Sequence, residues 1–213
     1  MNAYNTSLDD LPESALVVDR KSELRFIRDP KLNLVIWPRL EINSITDFLT
    51  EADDIYAYDG NHHTFLEDLS NLSPDRPGKR VFMDEYRYLY EIMEELQPNN
   101  ASYLNSIRDK VPGFQFHQDE GYSLNWTLVG PTCLWVEEQH VTRRGSLLKP
   151  SNWEYHIPRD ISKIRQFPDN VVAIYKGISE EDRKRYPKFS PFVHSRPERK
   201  QPTLRALHQI YLP

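Results

Sequence analysis

The alternation of apolar and polar residues divides the chain near residue 98. Before that point the clearest signal is helical. In "RVFMDEYRYLYEIMEELQP" the residues Phe82, Tyr86, Leu89, Met93 and Leu96 recur at steps of four and three. That spacing lays one apolar stripe along a helix, a pattern of core packing. Pro98 and Asn99–Asn100 end it. Upstream, "NLVIWPRL" (33–40) reads as a short apolar strand stopped by Pro38. Ser44, with Asp47 three residues on, predicts a capped helix to about Ala52. Residues 1–15 are polar and aperiodic and read as a mobile tail, and "YDGNHHTFLEDLSNLSPDRPGK" reads as a loop with one short helix.

After residue 100 the pattern changes to short runs of β character. They are "ASYLNSIRD", "FQFHQD", "SLNWTLVG", "TCLWVEE", "EYHIP", "NVVAIYKG", "FVHS" and "TLRALHQIYL", separated by Pro, Gly, Asn and Asp. Many short strands in one stretch fit a sandwich or a jelly roll. The fold expected is α+β: a double-stranded β-helix (jelly-roll, cupin-like) core in the C-terminal half, buttressed by N-terminal helices. Beyond the tail of 1–15, residues 16–213 form one domain in this reading, with 16–100 a helical support region and 101–213 the core.

Composition narrows the function classes. The chain has 213 residues, 38% hydrophobic and 28% charged, enough for one well-cored domain. No apolar run approaches the ~18 residues that span a bilayer. The N-terminus has no basic, apolar leader pattern, and the one cysteine, Cys133, excludes an internal disulfide framework and a cysteine-rich zinc site. A cytoplasmic setting is expected. Cys133 lies in the apolar run "TCLWV" and is expected to be buried. The net charge of −5 argues against a nucleic-acid partner. The tract "EEDRKRYPKFSPFVHSRPERK" is basic but interrupted by acidic residues, as solvated loops are. No phosphate-binding glycine loop and no internal repeat is present.

Candidate chemistry lies in "GFQFHQDEGYSLNWTLVG" (113–130). His117 and Asp119 are two apart in a β-patterned stretch, so they share a strand face. The chain has seven histidines, and His194, ending the run "SPFVH", is the third partner with the right context. The adjacent pair His62–His63 is a poor ligand set, because neighbouring side chains diverge on either helix or strand. Two neutral imidazoles and one carboxylate on one face of an octahedral ion are the triad of non-haem Fe(II) oxygenases, with open positions for a chelating 2-oxo acid and for O₂. The far carboxylate of a 2-oxo acid needs a cation in a dry pocket, and arginine pairs with it bidentately. Arg205 stands on the next β-patterned stretch. Arg199 and Lys200 precede it and compete for the role. On that strand Leu204, Ala206, His208 and Ile210 form the more apolar face; if they point inward, Arg205 points out and His208 in.

On His117-x-Asp119, His194 and Arg205, the stretch 101–213 resembles the Fe(II)/2-oxoglutarate-dependent oxygenase superfamily. "LVGPTCLWVEE" and "FPDNVVAIYKG" stand where that family has core strands. The resemblance implies that His117, Asp119 and His194 hold Fe(II) and that Arg205 holds 2-oxoglutarate, with Tyr103 and Asn105 as a second contact. It implies oxidation of 2-oxoglutarate to succinate and CO₂, coupled to hydroxylation of a small molecule or an amino-acid side chain. Tyr122, Trp126 and Trp135 are candidates for lining the substrate pocket. The alternative is a non-catalytic jelly-roll protein that handles or senses a metal or small ligand with the same residues. Over nearly its whole length the chain also resembles a bacterial domain family of unknown function, through "NLVIWPRL", "FHQD", "LVGPTCLW" and "VHSRP"; that likeness implies no activity.

Overall fold

The structure is a computed structural model that describes residues 7–9, 11–39, 58–61, 77–107, 116–144, 155–178, 184–186, 188–195, 197 and 205–211. Its strands in chain order are β1 (Ala15–Val17), β2 (Leu34–Pro38), β3 (Tyr58–Asn61), β4 (Ala101–Ile107), β5 (Tyr122–Val129), β6 (Leu134–Glu137), β7 (Val141–Arg144), β8 (Tyr155–Pro158), β9 (Arg165–Gln166), β10 (Val171–Lys176), β11 (Phe192–Ser195) and β12 (Arg205–Tyr211). A 3₁₀ helix covers Lys21–Arg28, and α1 covers Pro77–Leu96.

The strands form a seven-stranded sheet in the order β1-β2-β10-β5-β12-β4-β3, a three-stranded sheet β11-β6-β9, and the pair β7-β8. All pairings within them are antiparallel except β1 with β2. Two isolated bridges, His117 with His194 and Phe116 with His156, join β11 through residues 116–117 to β8. The small sheet and the β7-β8 pair thus become one surface.

Each face of the large sheet buries a different core. On one side α1 delivers the expected stripe: Phe82, Tyr86, Leu89 and Met93 are fully buried, and Leu96 packs beside them. They meet Val35 of β2, Leu124, Trp126 and Leu128 of β5, Val172 and Ile174 of β10, and Ile210 of β12. Phe82 and Trp126 stack with centroids 5.4 Å apart. Arg39, just past β2, ties this side together: it pairs with Glu85 of α1 at 3.0 Å, and its guanidinium lies 4.5 Å from the Trp126 ring centroid. On the other side Leu34, Ile36, Ala173 and Tyr175 face Cys133, Trp135, Phe167 and Phe192 of the small sheet and its loops. Cys133 is buried there, as expected.

Several expectations change. The region 16–100 is not a helical support alone, because β1, β2 and β3 extend the large sheet at both edges. Tyr58–Asn61, read as loop, pairs with β4. Part of the stretch read as a mobile tail is packed: Leu8, Leu11 and Ala15 rest on the inner core. Strands β7 and β9 carry no apolar alternation to mark them. The helix expected at Ser44–Ala52 and the pair His62–His63 lie outside the described residues. Among the described residues no helix is long and apolar enough to cross a membrane.

Candidate metal centre

His117, Asp119 and His194 come together, each offering one ligand atom, with these atoms all within 4.8 Å of one another. His194 sits in β11, where its neighbour across the ladder is Trp135. His117 is held against it by two backbone hydrogen bonds: His117 N–H donates to the His194 carbonyl at 2.9 Å, and His194 N–H returns the bond at 2.8 Å. The two rings are 4.4 Å apart. His117 Nε2 is 3.7 Å from Asp119 Oδ1, and His194 Nε2 is 3.8 Å from Asp119 Oδ2.

Asp119 does not reach this place by strand alternation. Only Phe116 and His117 make bridges, and Asp119 lies in the turn that follows. Other contacts bring it back. Gln118 Nε2 donates to the Ile178 carbonyl at 3.1 Å, and Gly177 N–H donates to the Gly121 carbonyl at 2.8 Å. Gly121 has φ +68°, a left-handed turn that glycine adopts without a Cβ clash. At Gly177 the need is space, because a Cβ there would collide with the Asp119 carbonyl oxygen.

The donor set fits a metal ion. Ligand atoms about 2.1 Å from one ion lie roughly 3–4 Å from one another, so only small closure is needed. Asp119 brings a carboxylate with one oxygen, Oδ2, buried, and a buried negative charge is costly unless a cation balances it. Burial pushes the His194 pKa down to about 3; the Asp119 charge opposes this shift and His117 adds to it. His194 is therefore neutral at ordinary pH, the form that binds metal.

Tyr175 completes the surroundings. It is fully buried on β10, with its ring 4.7 Å from that of His194 and its hydroxyl 3.3 Å from His194 Nε2. Sequence reasoning passed over it, because "VVAIYK" reads as a plain apolar strand. The signal was there: a single hydroxyl on an otherwise apolar run. The inner face of β5 holds further buried polar groups, Ser123, Asn125 and Thr127. Asn125 Nδ2 donates to Cys133 Sγ at 3.1 Å.

The residues expected to line a substrate pocket divide. Trp135 lies on the inner side next to His194 in register, but its ring is packed against Phe192 at 5.6 Å and Phe167 at 6.2 Å. Trp126 and Tyr122 belong to the α1 side of the sheet, the face opposite Tyr175 and the small sheet. The cause is alternation: Tyr122, Leu124 and Trp126 share one face of β5, and Ser123 and Asn125 share the other.

For Arg205, Tyr103 and Asn105 the backbone sets register. Arg205 pairs with Ile107, Leu207 with Asn105 and Gln209 with Tyr103, in an unbroken β12-β4 ladder. Across the other edge Leu207 pairs with Thr127, Gln209 with Asn125 and Ile210 with Leu124. Ile210 is buried in the α1-side core. Between Ala206 and Leu207 the pairing with β5 shifts register, while the ladder with β4 continues across that point.

No protein-family model matches the sequence, the whole-length likeness to a bacterial domain family included, and no curated protein is significantly similar. Solved structures are similar in fold. The dioxygenase for auxin oxidation from rice aligns with a TM-score of 0.50 at 11% identity, covering 94% of this chain and 83% of that one. JOX2 in complex with 2OG, Fe and JA aligns with a TM-score of 0.50 at 11% identity, covering 98% of this chain and 77% of that one. The chain is a mixed α/β protein that shares the fold of these dioxygenases.

Proposed function

We propose that the chain is an Fe(II)- and 2-oxoglutarate-dependent oxygenase acting on a small molecule or an amino-acid side chain. The observation that carries this reading is the cluster of His117, Asp119 and His194, with the Asp119 carboxylate facing both imidazoles. In this reading residues 16–213 are one domain. Its double-stranded β-helix sets β10, β5, β12 and β4 against β9, β6, β11 and the bridge at 116–117. The remaining strands and α1 buttress it. JOX2, solved with JA, supports a small-molecule substrate.

His117, Asp119 and His194 would hold the metal. When bound, Fe(II) supplies a redox centre at which O₂ oxidises 2-oxoglutarate to succinate and CO₂ and the substrate gains a hydroxyl group. The chain's own residues bind, orient and exclude water. His194, kept neutral by burial, offers its lone pair. Asp119 balances part of the metal charge. Arg205 on β12 would pair with the distal carboxylate of 2-oxoglutarate, with Tyr103 and Asn105 on the adjoining β4 as further contacts. Phe192, Trp135 and Phe167 keep the small-sheet side dry, which strengthens each of these polar contacts.

Anaerobic titration of the protein and Fe(II) with 2-oxoglutarate tests this. The expected result is the visible charge-transfer band of the chelate, and succinate formation once air is admitted. Metal binding with no response to 2-oxoglutarate would leave a non-catalytic metal-binding jelly roll instead.

A further inference from the structure

Tyr175 carries a hydroxyl where a phenylalanine would fill the same space. Its ring packs 4.7 Å from the rings of both Phe192 and His194. A hydroxyl sealed in that environment is costly unless it donates a hydrogen bond. It lies 3.3 Å from His194 Nε2, the nitrogen that also faces Asp119 Oδ2 at 3.8 Å. If His194 Nε2 ligates a metal, its lone pair is used and the hydroxyl must turn to another acceptor. The Asn125 amide approaches the phenol oxygen as a donor, and its N–H also reaches Cys133, so it does not take the proton. The acceptor left is the Asp119 carboxylate, whose Oδ2 is buried.

Resting on the metal-site reading above, we propose that Tyr175 is a positioning residue. Its hydroxyl donates to the Asp119 oxygen that does not ligate the metal, and so holds the carboxylate to one-oxygen ligation. A phenol hydroxyl is a donor as well as an acceptor, so it can supply that hydrogen bond. The effect is to keep a coordination position open that a two-oxygen carboxylate would occupy.

Co(II) is the probe, because its visible absorption reports ligand number and geometry. In Tyr175→Phe the ring packing is kept and one buried hydrogen bond to His194 is lost, so the metal-free protein should melt close to the wild-type temperature. Its Co(II) affinity should fall by roughly 10-fold, as for loss of a group that orients a ligand. The saturated Co(II) spectrum should shift toward higher coordination. Unchanged affinity and spectrum would overturn the inference while leaving the metal site intact. Weakened affinity with a wild-type spectrum and a lowered melting temperature would also overturn it, by showing a packing role. A visible phenolate band in Fe(III)-loaded wild type, lost in Tyr175→Phe, would make Tyr175 a ligand instead. If wild type takes up no Co(II), the metal reading falls and this inference with it.

Discussion

Strand β5 is buried on both faces, yet the faces hold different chemistry. Toward α1 it presents Leu124, Trp126 and Leu128, in the core with Phe82 and Tyr86. Toward the small sheet it presents Ser123, Asn125 and Thr127, all at most 5% exposed. Its neighbour β10 repeats the division, with Val172 and Ile174 on one side and Ala173 and Tyr175 on the other. Burial does not distinguish these faces. What does is the tolerance of polar groups: the α1 side is packing, and the inner side keeps hydroxyls, an amide and imidazoles at a desolvation cost that packing alone does not require. The costly face is the one that meets His117, Asp119 and His194.

The comparison is broken first by changing the packing face. Trp126→Ala should cost about 3–5 kcal/mol of stability, as for a large buried aromatic, and leave metal affinity near wild type in the folded fraction. Denaturant unfolding beside Co(II) titration would check this, and a selective loss of metal would move Trp126 into the site. Asp119→Ala should do the reverse. Fe(II) affinity should fall by roughly 100-fold or more, while the metal-free protein stays as stable as wild type or becomes more so, because a buried carboxylate is gone. Elemental analysis and thermal melts separate the two effects.

Arg205→Leu sharpens the comparison further. The expected loss is about 2–5 kcal/mol of 2-oxoglutarate binding, roughly 30-fold or more, with Fe(II) binding intact. The same change at Arg199 or Lys200 should cost under about 1 kcal/mol. Anaerobic calorimetry of the three variants decides which residue anchors the acid.

A smaller effect comes with acid. His156 is buried, neither ring nitrogen has a hydrogen-bond partner among the described residues, and its pKa is lowered to about 4 by burial first, then by Arg143 and His117. An unfolded histidine titrates near 6.5. Between those values the unfolded chain binds more protons, so stability falls as pH drops from about 6.5 to about 4. His194 adds to the same trend and continues it to lower pH. His156→Phe should reduce the stability difference between pH 7 and pH 4.5 by about 1–2 kcal/mol. An unchanged difference, measured by denaturant midpoints on metal-free protein, would show that His156 has a polar partner.

Much was legible in local pattern. The stripe Phe82–Tyr86–Leu89–Met93 names its own buried face, because a 3.6-residue period admits one solution. Seven of the eight strand-like runs after residue 100 fall on β4, β5, β6, β8, β10, β11 and β12, and "FQFHQD" contributes the isolated bridges at Phe116 and His117. The cluster was legible too, since four of the seven histidines lie in β-patterned runs and His117 among them stands two residues from a carboxylate. Asp119 was placed by the wrong argument: strand alternation was expected to carry it, and a turn held by Gln118, Gly121 and Gly177 does so instead. Contacts across many residues leave no mark in a local window.

What the sequence by itself determined is therefore the inventory: which stretches are helix or strand, where the donors are, and that two imidazoles and a carboxylate suit a metal. Tertiary structure alone decided which face of each strand looks inward. Alternation says that Arg205 and His208 lie on opposite sides of β12, but not which side is which. Ile210, packed in the α1-side core opposite Leu124, shows the direction at its own position. In the same way Trp126 and Tyr122 went to packing, and Tyr175 to His194. A period of two defines a pair of faces; only the neighbouring layer, by what it buries, tells them apart.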